Sequence, residues 1–288
     1  MKNLILNADD FGMTRGVNEG IIRAHREGIL TSTTLMANGP AFDDAVQRTG
    51  ANTELGVGCH LVLVGGKCMA RREDVASLAD AGGNLPESLP SFVARLSSGM
   101  IPGEEIEREF RAQIERIRAA GIVPTHLDTH KHTHAHPRVM EALGKVAKEF
   151  GINRVRKPVE DLRDSWRTMR GDGQSVAIQI LAAAAVRAIA PRFRAISAKY
   201  GLLSPDNFLG LAMTGKVSAA VLRRMIEMLE DGSTEIMLHP GVYDADLERS
   251  GSRLRGQRET ELASLLDPGV RSALEERGIR LISYRELN

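Results

Sequence analysis

The sequence predicts an α/β protein built on a parallel sheet. Three observations carry that reading. Short apolar segments rich in β-branched residues alternate with segments whose apolar residues recur at helical spacing. Several of the apolar segments stop at an ionisable side chain, as strands do whose carboxyl ends converge on a site. The 288 residues, 42% hydrophobic and 26% charged, suffice for a substantial core. Periodicity alone leaves a closed barrel and an open doubly wound sheet both open.

The elements follow in order. NLILNA reads as a buried strand, and GVNEGIIRAHREG as a helix closed by Gly28. STTLMA is the second strand and AFDDAVQRTG a short helix. ELGVGCHLVL is the third strand. Residues 65–102 are irregular, rich in Gly, Pro and Ser, with a short helix around SFVARL. EEIEREFRAQIERIRAAG is the clearest helix. Ile106, Phe110, Ile114 and Ile117 form its apolar stripe, and Glu104 and Glu105 suit the positive end of its dipole. THLDTH is a strand, PRVMEALGKVAKEFG a helix opened by Pro137, and INRVRKP a strand. Residues 160–205 break the rhythm as an inserted helical excursion. DNFLGLAM, the helix SAAVLRRMIEMLEDG, the strand TEIMLHPG, helices around ETELASLL and GVRSALEERG, and the strand IRLISY complete a single domain over 1–288.

Composition narrows the function. A net charge of +1 gives no global field for nucleic acid or anionic membrane, and 4% aromatics argue against a base-stacking surface. The longest apolar segment, VAIQILAAAAV, is too short to cross a bilayer. Asn7, Asp9 and Asp10 cut the N-terminal apolar run before signal-peptide length, so a cytoplasmic protein is expected. Cys59 and Cys68 are expected to remain thiols. There is no Gly-rich dinucleotide fingerprint, and GGK at 65–67 lacks the rest of a phosphate loop.

The strand ends supply the chemistry. Asp9 and Asp10 follow the first strand, His60 the third, and His239 the strand TEIML; RVRKP carries Arg154 and Arg156. Thr14 or Asn18 can cap the first helix, which leaves the two Asp free for other work. HLDTHKHTHAHP holds five of the eight histidines, with His130, His132 and His134 at alternate positions. On an extended backbone these three face one cavity. His126 is expected to face the other way or to pack inside; His25 and His136 read as ordinary surface or packing residues. One carboxylate and two imidazoles suit a catalytic divalent ion, Zn²⁺ or Mg²⁺ foremost, with Mn²⁺, Co²⁺ and Ni²⁺ also compatible. An ion held by one of the two Asp and by His60 needs only one histidine of the run.

NADDFG, TSTTLM, GCHLVL, THLDTHKHTH and EIMLHPG, in that order over nearly the whole chain, resemble the YdjC-like carbohydrate deacetylases. The resemblance implies a distorted (β/α) TIM-like barrel and a metal-dependent hydrolase that removes acetyl from N-acetylated sugars. It further implies Asp9 as general base, Asp10, His60 and His130 as metal ligands, and His239 as general acid. His132 and His134 would line the substrate site, and Arg156 would contact substrate. A homodimer follows by analogy. Arg258 and Glu261 match an R-x-x-E element without an assigned role. The excursion, FLGLAM and the following Thr-Gly resemble the hopanoid-biosynthesis-associated branch, which implies a lipid-linked acetylamino sugar. The excursion mixes Arg with apolar residues, as a core helix or a helix touching a membrane does. Two rivals stand beside this reading: another metal hydrolase such as a phosphoesterase, and a non-catalytic glycan- or metal-binding protein on the same scaffold.

Overall fold

A computed structural model describes residues 1–161 and 190–288. Among these residues seven parallel strands form one curled, open sheet, a half-barrel consistent with a distorted TIM-like barrel. They are β1 (Lys2–Phe11), β2 (Ser32–Leu35), β3 (Gly56–Leu61), β4 (Leu127–Thr129), β5 (Asn207–Leu209), β6 (Gly232–Leu238) and β7 (Arg280–Leu281). Their order is β4-β3-β2-β1-β6-β5, with β7 beside the start of β1. β1 is central and buried from Leu4 onward, which is why it reads as a continuous apolar run. The expected strand INRVRKP shrinks to single bridges: Val155 pairs with Leu127, and Arg154 with Leu203. These carry the curl past β4 without forming a full ladder.

The helices pack outside: α1 (Arg15–Arg26), α2 (Phe42–Gly50), α3 (Leu89–Ser97), α4 (Gly103–Ala119), α5 (Pro137–Phe150), α6 (Ala190–Tyr200), α7 (Ala219–Glu227), α8 (Ala245–Arg249), α9 (Gln257–Leu266) and α10 (Pro268–Glu276). Of the expected excursion over 160–205, α6 is described and packs against α5; residues 162–189, with the apolar run VAIQILAAAAV, lie outside the described residues. No helix among the described residues is long and apolar enough to cross a membrane. Both cysteines are free thiols, Cys59 buried.

Thr14 caps α1, its Oγ1 accepting the Val17 N–H at 3.1 Å. Asn18 Oδ1 instead accepts the Gly12 N–H at 2.7 Å. Asp9 and Asp10 are therefore not caps. Gly28 closes α1 for a reason other than a left-handed backbone: a Cβ there would lie 2.4 Å from the Leu265 carbonyl oxygen.

The stripe of α4 is as expected, with Ile106, Phe110, Ile114 and Ile117 fully buried. Glu105 lies in the first turn, as expected, and is buried there. Glu105, Glu109 and Gln113, four residues apart, form a second buried stripe that holds the irregular segment after β3. Glu105 accepts the Ser77 and Leu78 N–H groups, Glu109 those of Met69 and Ala70, and Gln113 both accepts from and donates to the Val62 backbone. One helix thus satisfies backbone groups at Val62, Met69, Ala70, Ser77 and Leu78 of a segment that has no strands of its own.

Candidate metal and catalytic site

The site begins with a break in a strand. Successive side chains of a regular strand face opposite ways, so Asp9 and Asp10 would part. The β1–β2 register shifts between Ala8 and Phe11, and Asp10 has φ of 69°. That irregularity lets both carboxylates meet the groups at the carboxyl end of the sheet.

Asp10 faces two imidazoles. Its Oδ1 lies 3.5 Å from His60 Nε2 and 3.3 Å from His130 Nδ1, and these two nitrogens are 3.3 Å apart. Asp10 Oδ1 is buried and has no hydrogen-bond partner. Its other oxygen takes Arg258 Nη2 at 2.6 Å. Burial pushes the Asp10 carboxyl up, but Arg258 and His130 outweigh it and hold it well below the usual range. His60 Nδ1 lies 2.8 Å from Asp128, an acceptor only, so Nδ1 carries the proton and Nε2 is the atom aimed at Asp10. Burial works to lower His60, yet Asp128, with Asp9 and Asp10 behind it, lifts it to about 9.

These three atoms fit a divalent ion. A tetrahedral ion with ligands at about 2.0–2.2 Å has ligand–ligand edges of roughly 3.4 Å. The measured edges match this, and the carboxylate oxygen that lacks a partner is the one that points between the imidazoles.

Asp9 is treated differently. Arg156, fully buried, grips it with both terminal nitrogens, Nη1 to Oδ2 at 2.7 Å and Nη2 to Oδ1 at 2.6 Å. Asn7 adds a donor to Oδ1 at 3.0 Å. Arg156 also meets Asp128 at 2.6 Å and Glu235 at 2.8 Å, and Tyr284 donates to Glu235 at 2.5 Å. Burial pushes Asp9 up, and the charge and hydrogen bonds of Arg156 more than reverse it, so the carboxyl stays ionised at any working pH. The second Asp/His group here, Asp9–His60–Asp128, is thus already occupied by a guanidinium.

His239 follows β6. Its backbone N–H donates to Glu261 Oε2 at 2.5 Å, and its Nδ1 lies 3.9 Å from the same oxygen without a hydrogen bond. Burial lowers His239 to about 4, against the pull of Asp10 and Asp9. Burial raises Glu261 to about 7 although backbone N–H groups oppose it.

The histidine run is not extended. Residues His130–Ala135 form a 3₁₀ turn, with Lys131 at φ 55° and His132 at φ 52°. The alternation expected for His130, His132 and His134 therefore fails, and only His130 reaches Asp10. His134 is fully buried, its Nδ1 2.6 Å from Thr129 Oγ1 and its Nε2 3.1 Å from the Arg156 carbonyl oxygen. Nδ1 accepts and Nε2–H donates, so both ring nitrogens are consumed in tying β4 to the residue-156 segment. Arg156 is likewise sealed inside. Neither lies at a surface that substrate can touch, contrary to the expectation for both. His132 is half-buried and meets Phe208 edge-on, with ring centres 5.9 Å apart. His126 packs inside as expected, stacked on Tyr284 at 3.6 Å. His136 caps α5, accepting the Arg138 N–H.

Asp128, Glu235, Tyr284 and Arg258 were not singled out, or not understood, from sequence. Asp128 and Glu235 carry a usable signal: each is a lone acid inside a short, otherwise buried strand, which calls for an internal cation.

A carboxylate and two imidazoles converging at the carboxyl end of a curled parallel sheet define a metal-binding enzyme scaffold. The chain belongs to the YdjC-like protein family, whose profile matches residues 3–276. It is similar to a carbohydrate deacetylase of Geobacillus stearothermophilus, 37% identical over 284 residues, covering 98% of this chain and 96% of that one. A carbohydrate deacetylase of Brevibacillus brevis is 34% identical over 288 residues and covers 99% of both. Among solved structures, a candidate cellobiose-phosphate cleavage protein of Enterococcus faecalis V583 superposes with a TM-score of 0.77 at 26% identity, over 98% of this chain and 97% of that chain.

Proposed function

We propose that this chain is a metal-dependent hydrolase that removes the acetyl group from an N-acetylated amino sugar and releases acetate. The observation that carries the reading is the unpartnered Asp10 Oδ1 between His60 Nε2 and His130 Nδ1, with Asp9 and His239 beside it. Full-length relatives described as carbohydrate deacetylases support the substrate class.

Asp10, His60 and His130 are the proposed ligands of one divalent ion, and the tetrahedral spacing favours Zn²⁺ over Mg²⁺, which prefers octahedral geometry. When bound, such an ion supplies Lewis-acid polarisation of the acetyl carbonyl and lowers the pKa of water. Asp9 serves as general base: Arg156 fixes its plane, and Oδ2 keeps a lone pair for the proton of the attacking water. His239 protonates the departing amine, because an amine leaves poorly as an anion. His132, beside Phe208, is the proposed sugar-facing residue of the run. The other Asp/His group is filled by Arg156, which disfavours a two-metal phosphoesterase.

The finer substrate reading is a lipid-linked sugar of the hopanoid type. It rests on the resemblance of FLGLAM and residues 160–205 to that branch, and 162–189 lie outside the described residues. The test is acetate release from N-acetylglucosamine conjugates, soluble and lipid-linked, with metal analysis on the same sample. Asp9→Asn is expected to lower turnover roughly 100- to 10,000-fold with the metal retained. Unchanged turnover in that variant removes Asp9 from the base role.

A further inference from the structure

We propose that Arg258 is a positioning residue that keeps Asp10 a one-oxygen ligand, and that Glu261, one turn along the same helix, positions His239. The inference rests on the metal reading above and concerns how the chain prepares its own side chains for the ion.

Residues three apart on a helix share a face. On α9 that face meets two different strand ends. Arg258 Nη2 reaches Asp10 Oδ2, at the end of β1, at 2.6 Å. Glu261 Oε2 accepts the backbone N–H of His239, at the end of β6. The Arg258 carbonyl also accepts the Gly241 N–H at 3.2 Å. One helical turn therefore clamps the proposed ligand and the proposed acid to the same support.

The Arg258 contact is single-pointed. Its Nη1 is buried and has no hydrogen-bond partner, while Nε donates at 3.2 Å to the Leu254 carbonyl. A forked pair would have taken both Asp10 oxygens, as Arg156 takes both of Asp9. Here one oxygen is anchored and the other is left aimed at His60 and His130. A carboxylate anchored in this way presents one oxygen and cannot swing to chelate with two. That keeps the donor set at one oxygen and two nitrogens, a set that favours Zn²⁺-like ions over oxygen-preferring Mn²⁺ or Mg²⁺.

The test measures metal binding apart from turnover. Zn²⁺ and Mn²⁺ affinities are titrated for wild type, Arg258→Met, Arg258→Lys, Glu261→Met and Glu261→Gln, with the visible absorption of the Co²⁺-loaded proteins reporting coordination. Outer partners of ligands typically carry a 10- to 100-fold effect on metal affinity, so Arg258→Met is expected to weaken Zn²⁺ by about that factor. It should also narrow the gap between Zn²⁺ and Mn²⁺ and shift the Co²⁺ spectrum; Arg258→Lys should recover part of each. Glu261→Met, which removes the acceptor of the His239 backbone N–H, should keep the Zn²⁺ affinity and Co²⁺ spectrum and lower kcat, whereas Glu261→Gln, whose amide oxygen still accepts that bond, should keep all three; unchanged kcat in Glu261→Met overturns the role of Glu261. Should Arg258→Met not fold, Arg258→Gln carries the same expectation. Unchanged Zn²⁺ affinity, unchanged selectivity and an unchanged Co²⁺ spectrum in the neutral variant overturn the role of Arg258, while the metal reading stands. Equal Zn²⁺ losses in the Arg258 and Glu261 variants overturn the division between them. A wild-type protein that binds no divalent ion overturns both the metal reading and this inference.

Discussion

The floor of the barrel and its rim handle charge in opposite ways. On the floor, Arg156 is surrounded by Asp9, Asp128 and Glu235, and Tyr284 closes the group with a further hydrogen bond. At the rim, the carboxylate next along the chain from Asp9 has one oxygen held by Arg258 and the other without a partner. Buried charges are expensive unless paired, so full compensation below needs no special explanation. The Asp10 oxygen without a hydrogen-bond partner does, and its place between two imidazoles suits it to bind a cation. The contrast assigns rigidity to the floor and binding to the rim.

The largest effect should come from breaking the floor. Arg156→Met leaves three buried carboxylates without their cation; removing one partner of a buried pair typically costs about 3–5 kcal/mol, so this variant is expected to lose at least that much in urea unfolding. A loss below about 1 kcal/mol, the value of a surface pair, would mean that the floor is not where stability resides.

Next comes a pH effect at the rim. Glu261 titrates at about 7 in the folded chain against 4.5 when unperturbed. A raised folded pKa means that its contribution to stability is fully present below 4.5 and is lost as pH rises through about 7. The metal-free protein should lose on the order of 3 kcal/mol from this group across that window. Glu261→Gln should flatten the curve; equal slopes in the two proteins would remove Glu261 as its source.

Metal removal is expected to act at a similar or smaller scale. A ligand at about 100 times its Kd stabilises by about 2.7 kcal/mol, or roughly 4–5 °C in Tm for a chain of this length. Chelation should therefore lower the Tm of the wild type and leave that of His60→Ala unmoved. The smallest effect belongs to Lys131→Gly. A side chain at φ 55° is strained, and glycine relieves it, with an expected gain of no more than about 1 kcal/mol in thermal unfolding. A loss instead would show that Lys131 holds the rim in place.

Sequence made the rim more legible than the floor. Asp10, His60, His130 and His239 stand at the ends of apolar segments, and strand direction alone brings such ends together. The α4 stripe and the Thr14 cap are local patterns and read directly. Arg156 is placed against substrate only by the resemblance, whereas its partners come from β1, β4 and β6, which no local pattern links. His134 was misplaced because alternation presumes an extended backbone. Two consecutive left-handed residues, Lys131 and His132, turn the chain there, and neither is a glycine that would have signalled the turn. Glu105 is the first-turn acid it reads as; its further, tertiary use lies 27 residues away, at Leu78, where no local pattern reaches.

The stripe Glu105–Glu109–Gln113 has a consequence for how relatives can diverge. The segment that follows β3 has no strands of its own and is fastened to α4 by side chains that complement its backbone. It and the helix are therefore joined as one structural unit. Transplanting residues 62–78 alone into another scaffold would strand the carboxylates left behind and orphan the amides carried across. A chimera that moves the segment together with α4 keeps every one of those bonds, so recombination in this family should respect that boundary.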